Sequence, residues 1–131
     1  MKTNPVFWFE IYVQDMNRAQ NFYEEVFQFK MQNMSDPTDQ SLKMVSFPSI
    51  NEGPDKMFPG TTGSLVQFQG MPSGGNSTLI YFTSDDCSIE EKRVEAAGGK
   101  LVRGKMSIGQ YGFISLALDT EGNMFGIHSM K

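Results

Sequence analysis

Histidine and cysteine are nearly missing from this chain: its 131 residues hold one of each, His128 and Cys87, and a single tryptophan, Trp8. One cysteine excludes a disulfide within the chain and fits a reducing compartment. No Cys-His spacing motif surrounds Cys87, and it falls at an expected helix start, so its thiol reads as structural. With one histidine and no His-x-His or cysteine cluster, few donors remain for a conventional metal centre. No apolar run approaches the ~18 residues needed to cross a bilayer, so no membrane partner is expected. Basic residues are also in deficit, 11 against 15 acidic ones for a net charge of −4. They are scattered, which disfavours nucleic acid, because phosphate binding needs clustered Lys and Arg. Residues 1–5 lead into a strand with no apolar stretch ahead of them, and the expectation is a cytoplasmic protein.

What the chain does contain is a strand-like run of aromatic and β-branched residues, Phe7-Trp8-Phe9-Glu10-Ile11-Tyr12-Val13. Alternation puts Phe7, Phe9, Ile11 and Val13 on one face and Trp8, Glu10 and Tyr12 on the other. Asp15 then offers a capping oxygen to a helix with apolar residues at Ala19, Phe22, Tyr23, Val26 and Phe27, the spacing of a core-facing stripe. Strands are expected at about 28–34, 42–47 and 65–69. A Pro- and Gly-rich loop is expected over 48–63, a length that often marks a functional rim.

After a flexible link at 70–76 the pattern begins again. A strand from Thr78 to Thr83 leads to an Asp85-Asp86 cap and a helix through Ile89, Val94 and Ala97 that stops at Gly98-Gly99. Strands follow at about 100–105, 112–118 and 124–129, the last two joined by the polar turn Asp119-Thr120-Glu121-Gly122-Asn123. An offset of 71 residues superposes Asp15 on Asp86, Val26 on Ala97 and Trp8 on Leu79. One domain over 1–131 is expected, built from a repeated βαβββ unit, with module 1 at about 6–69 and module 2 at about 77–131.

Three segments carry a family likeness: Val13-Gln14-Asp15-Met16 with Ala19 and Phe22 to Phe27, then Val94 to Val102, then Asp119 to Asn123. In this order they resemble the vicinal oxygen chelate superfamily, which includes glyoxalase I, bleomycin-resistance proteins and extradiol dioxygenases. The resemblance implies an α+β fold of two βαβββ modules whose curled mixed sheets enclose a cavity, with helices on the outer faces. It also implies a homodimer as the common assembly. Trp8, Glu10 and Tyr12 would point into the cavity from the first strand, Leu79, Tyr81 and Thr83 from the fifth, and Met124, Gly126 and His128 from the last.

Enzymes of this superfamily generally hold a divalent metal with His, Gln or Glu side chains, a Lewis-acid arrangement. Their first-strand ligand position falls here on Trp8, the second-module position on Leu79 and the last-strand glutamate on Gly126, none of which ligates metals. The fourth-strand position lies within Leu65, Val66 and Gln67. The reading is therefore a glyoxalase- or bleomycin-resistance-like protein that binds a small, partly aromatic or apolar molecule and needs no metal or other cofactor. Its expected ligand-binding residues are Trp8, Glu10, Tyr12, Tyr81, Tyr111 and His128. Those aromatic rings fit either a pocket lining or ordinary core filling. The alternative is a divalent-metal lyase, isomerase or dioxygenase whose displaced catalytic site is formed by Glu10 and His128.

Overall fold

The computed structural model describes residues 4–39, 41–48 and 60–131. Residues 49–59 of the expected 48–63 loop lie outside that set, and the end of that stretch already belongs to a strand. The first unit runs β1 (Trp8–Tyr12), α1 (Met16–Phe27), β2 (Gln32–Asn33), β3 (Leu42–Ser46) and β4 (Thr62–Phe68). The second runs β5 (Tyr81–Thr83), α2 (Cys87–Val94), β6 (Lys100–Ser107), β7 (Phe113–Leu118) and β8 (Met124–Ser129). Each unit forms a four-stranded sheet, in the orders β1-β4-β3-β2 and β5-β8-β7-β6. Both are mixed, because β1 pairs with β4 and β5 with β8 in parallel while the other pairs are antiparallel. None of the helices among the described residues is long and apolar enough to cross a membrane.

The helices begin where the repeat places them. Asp15 sits in extended backbone and its side chain accepts from the Arg18 N–H, and Asp86 does the same for Ser88. Each thereby pairs one of the N–H groups that a helix start leaves without a partner. The stripe Ala19, Phe22, Tyr23 and Val26 is fully buried. The second helix is shorter and buries only Cys87 and Val94, since its chain turns off before the left-handed Gly98. Cys87 is fully buried, consistent with a packing role.

Phe9 from the first sheet and Phe47 just after β3, Phe82 and Phe125 from the second sheet, and Tyr23 from α1 share one aromatic cluster. Tyr23 lies 5.4 Å from Phe47 and 5.7 Å from Phe125, and Phe9 meets Phe82 edge-on at 6.4 Å between centroids. Offset and edge-to-face contacts of this kind add to the area they bury. The α+β class and the two βαβββ modules thus match expectation. The sheets, however, stay as two separate four-stranded units that do not close on each other. Their helix-side residues meet in the common core, so their opposite faces turn away from it.

The turn after β7 binds the modules together. Asp119 is buried and its carboxylate accepts from the Tyr23 hydroxyl at 2.7 Å, from the backbone N–H of Glu121 and Asn123, and from the Asn123 amide. Glu121 accepts from the backbone N–H of Gln14 and Asp15 and, in a two-point pair at 2.7 and 2.8 Å, from Arg18. Asn123 donates to the Tyr12 carbonyl and accepts from the Gly74 N–H. One pentapeptide therefore holds the end of β1, the start of α1 and the inter-module link. Gly99 completes the junction: a Cβ there would run into the Leu118 carbonyl and come within 2.6 Å of the Phe22 ring.

Candidate functional site

Alternation along β1 separates two sets of side chains. Phe9 and Ile11 face the core, while Trp8, Glu10 and Tyr12 share the opposite face with their β4 neighbours Thr62, Ser64 and Val66. Phe7, expected on the core face, lies outside the strand and is 83% exposed. It precedes the first ladder pair at Trp8, so no neighbour holds it against the sheet.

Glu10 is the centre of this face. Its carboxylate accepts from the Trp8 indole N–H at 3.3 Å and from the Tyr12 hydroxyl at 2.9 Å, so it is held between two aromatic rings. Donating to that carboxylate raises the Tyr12 phenol above its ordinary value, with smaller contributions from burial and from the negative charge. A groove of about 560 Å³ runs beside β1, lined by Trp8, Glu10 and Tyr12 on one side and by Asn76, Leu79 and Met124 on the other. Across the ladder from Glu10, the Ser64 hydroxyl is buried without a hydrogen-bond partner.

The second module presents a different face. Tyr81 pairs with Gly126, and Thr83 with His128. A Cβ on Gly126 would collide with the Tyr81 ring, so that ring occupies the space a side chain at 126 would need. Tyr81 is 46% exposed and borders a second, apolar groove of about 650 Å³ with Phe9, Phe47 and Ile80. His128 Nε2 lies 2.6 Å from the Tyr111 carbonyl oxygen. A carbonyl only accepts, so that nitrogen carries the proton. Tyr111 itself stands in a 3₁₀ turn, Gly109–Tyr111, with its ring largely exposed.

Trp8, Glu10 and Tyr12 are therefore brought together, whereas Tyr81, Tyr111 and His128 lie on the other module. Among the described residues no hydrogen bond or ion pair joins Glu10 to His128. A metal fits this arrangement poorly. Trp8, Leu79 and Gly126 supply no ligand atom, the Tyr81 ring covers Gly126, and the Gln67 amide oxygen is committed to the Met16 N–H. No group of three or more His, Cys, Asp or Glu side chains suited to a metal occurs among the described residues.

Sequence reasoning missed two features. Alternation on β4 places Ser64 opposite Glu10, and an earlier start to that strand would have revealed it. The joining role of Asp119 and Glu121 had no local signal, since their partners lie about a hundred residues away.

Comparison with known proteins agrees with this architecture. Residues 6–127 match the model of the Glyoxalase/Bleomycin resistance protein/Dioxygenase superfamily. A glyoxylase-like domain-containing protein from Didymella fabae is 29% identical over 119 residues, covering 90% of this chain and 88% of the relative. Among solved structures, a glyoxalase I point mutant from Zea mays superposes with a TM-score of 0.74 at 21% identity, over 96% of this chain but only 46% of the maize chain. TnmS3, an antibiotic binding protein from Streptomyces sp. CB03234, superposes with a TM-score of 0.63 at 22% identity, over 98% of both chains. The chain belongs to the glyoxalase/bleomycin resistance protein/dioxygenase superfamily.

Proposed function

We propose that the protein binds a small, partly aromatic or apolar molecule beside Trp8, Glu10 and Tyr12 without the help of a metal. The observation that carries this reading is the Tyr81 ring over Gly126: where the family's metal chemistry calls for a carboxylate, this chain has hydrocarbon and a flat aromatic surface. The groove along β1 has the size of a small-molecule site, and most of its wall is apolar or aromatic with a few polar groups. The antibiotic-binding neighbour performs its role on the same fold. The alternative metalloenzyme requires Glu10 and His128 to converge, but each is engaged on a separate module.

A homodimer belongs to the same reading. Phe68 and Tyr81 are exposed large residues on the outward sheet faces, and a second copy would cover them. Light scattering should give the mass of two chains, and a monomer would remove that part. For the site itself, the test is metal analysis of protein purified without chelator, joined to binding of small aromatic probes followed through Trp8 emission. Binding unchanged by chelation and well under one metal per chain is the expected result. About one tightly held metal per chain, lost in Glu10→Ala or His128→Ala, would overturn it.

A further inference from the structure

We propose that the ligand taken by the Trp8–Glu10–Tyr12 face is an organic cation, an ammonium or guanidinium group carried on an apolar or aromatic body; this rests on the small-molecule reading above. Among the described residues, Glu10 is the one charged side chain lining the groove. Both ion pairs among the described residues lie elsewhere, Arg18 with Glu121 and Lys105 with Asp86, so no cation among those residues pairs with it. Its two oxygens each accept one hydrogen bond, from Trp8 and Tyr12, which fixes the carboxylate and leaves further lone pairs open.

An anionic ligand would find no counter-charge among the described residues that line the groove. The amide donors there are already committed: Asn76 to the carbonyls of Thr78 and Met124, and Asn123 to the Tyr12 carbonyl and Asp119. A cation finds a positioned carboxylate held between two aromatic rings, and the overall charge of −4 favours its approach. Leu79 and Met124 across the groove would contact the apolar body of such a ligand.

The chain's single tryptophan is part of the site, so its emission reports occupancy directly. Three probes of similar size are titrated at low salt: benzyltrimethylammonium, benzyl alcohol and phenylacetate. The cation should bind about tenfold tighter than either of the others, the scale of a partly desolvated cation–π and charge contact. In Glu10→Gln, which keeps an acceptor for one donor but removes the charge, that preference should fall to about twofold or less. Thermal melts of the variant confirm that it folds. If benzyl alcohol or phenylacetate binds as tightly as the cation, or if Glu10→Gln keeps the preference, charge selection is wrong although small-molecule binding stands. If none of the three perturbs Trp8, both ideas fail.

Discussion

Two glutamates, Glu10 and Glu121, do opposite things with the same carboxylate. Glu121 has no side-chain exposure and is surrounded by donors: two backbone N–H groups, both ends of the Arg18 guanidinium and the Thr120 hydroxyl. Burial pushes its carboxyl up, but those donors outweigh it and leave it lowered to about 2. Glu10 is exposed and accepts two hydrogen bonds from aromatic neighbours, with no ion-pair partner among the described residues. A fully satisfied charge is architecture, since nothing more can bind it. A charge that is positioned but unpaired is available to a ligand.

The contrast is broken most easily at the joining turn. Asp119→Ala removes the acceptor of the fully buried Tyr23 hydroxyl and of two backbone N–H groups, leaving them unpaired out of water. A loss of about 3 kcal/mol is expected from urea unfolding, the usual scale for orphaned buried polar groups. A loss below about 1 kcal/mol would show that the turn does not hold the modules together.

Two glycines sharpen the same contrast. Gly99→Ala drives a methyl group into the Leu118 carbonyl and the buried Phe22 ring, where backbone cannot yield, and should cost about 2 kcal/mol. Gly126→Ala has its three nearest contacts on the half-exposed Tyr81 ring, which can swing toward solvent, so its cost should stay under about 1 kcal/mol. Equal Tm shifts for the two would mean that the outward face of module 2 is as rigidly packed as the junction.

Acid separates the carboxylates further. A folded-state pKa lowered from 4.5 to about 2 makes Glu121 a stabilising group above about pH 4.5, and that contribution fades as pH falls toward 2. Asp119 runs the other way. Burial raises its carboxyl despite hydrogen bonds from Tyr23, Asn123 and Glu121, so its ionisation opposes folding, and that penalty fades as pH drops through its raised value toward the ordinary 3.8. Unfolding free energy of the native chain should decline between about pH 4.5 and 2. In Glu121→Gln the decline should be shallower, and what remains is the part that Asp86 and Asp36 contribute, whose carboxyls are held below the ordinary value by hydrogen bonds from Lys105 and Ser88 and from Thr38.

Local pattern made much of this readable in advance. The Asp15 and Asp86 caps sit 71 residues apart and both cap helices as expected, because capping depends on three or four neighbouring residues. Alternation placed Trp8, Glu10 and Tyr12 on one face because a strand's period is fixed by its backbone. Strand ends were less legible. β5 begins at Tyr81 rather than Thr78 and β2 shrinks to two residues, since ladder pairing with distant segments decides where a strand starts. How the modules meet was not legible at all. Whether two sheets join by helix sides or by the opposite faces is set by contacts such as Phe9 with Phe82 and Tyr23 with Asp119, which no spacing encodes.

The smallest effect on stability is expected at Glu10, and it discriminates best between a site and a scaffold. Glu10→Gln trades an exposed carboxylate for an amide of the same shape, so urea unfolding should change by less than about 0.5 kcal/mol. The Tyr12 phenol, raised chiefly by its hydrogen bond to Glu10 and then by burial and the adjacent charge, should fall back toward 10.0. The difference in alkaline absorbance between the variant and the native chain can follow this, because Tyr23, buried and raised well above its ordinary value, stays silent in the folded protein, and Tyr81 and Tyr111 on the other module are common to both chains. An unchanged tyrosine titration would mean that Glu10 does not hold the Tyr12 hydroxyl in solution. A loss of stability comparable to Asp119→Ala would mean that Glu10 is structural after all, and the distinction between the two glutamates would collapse.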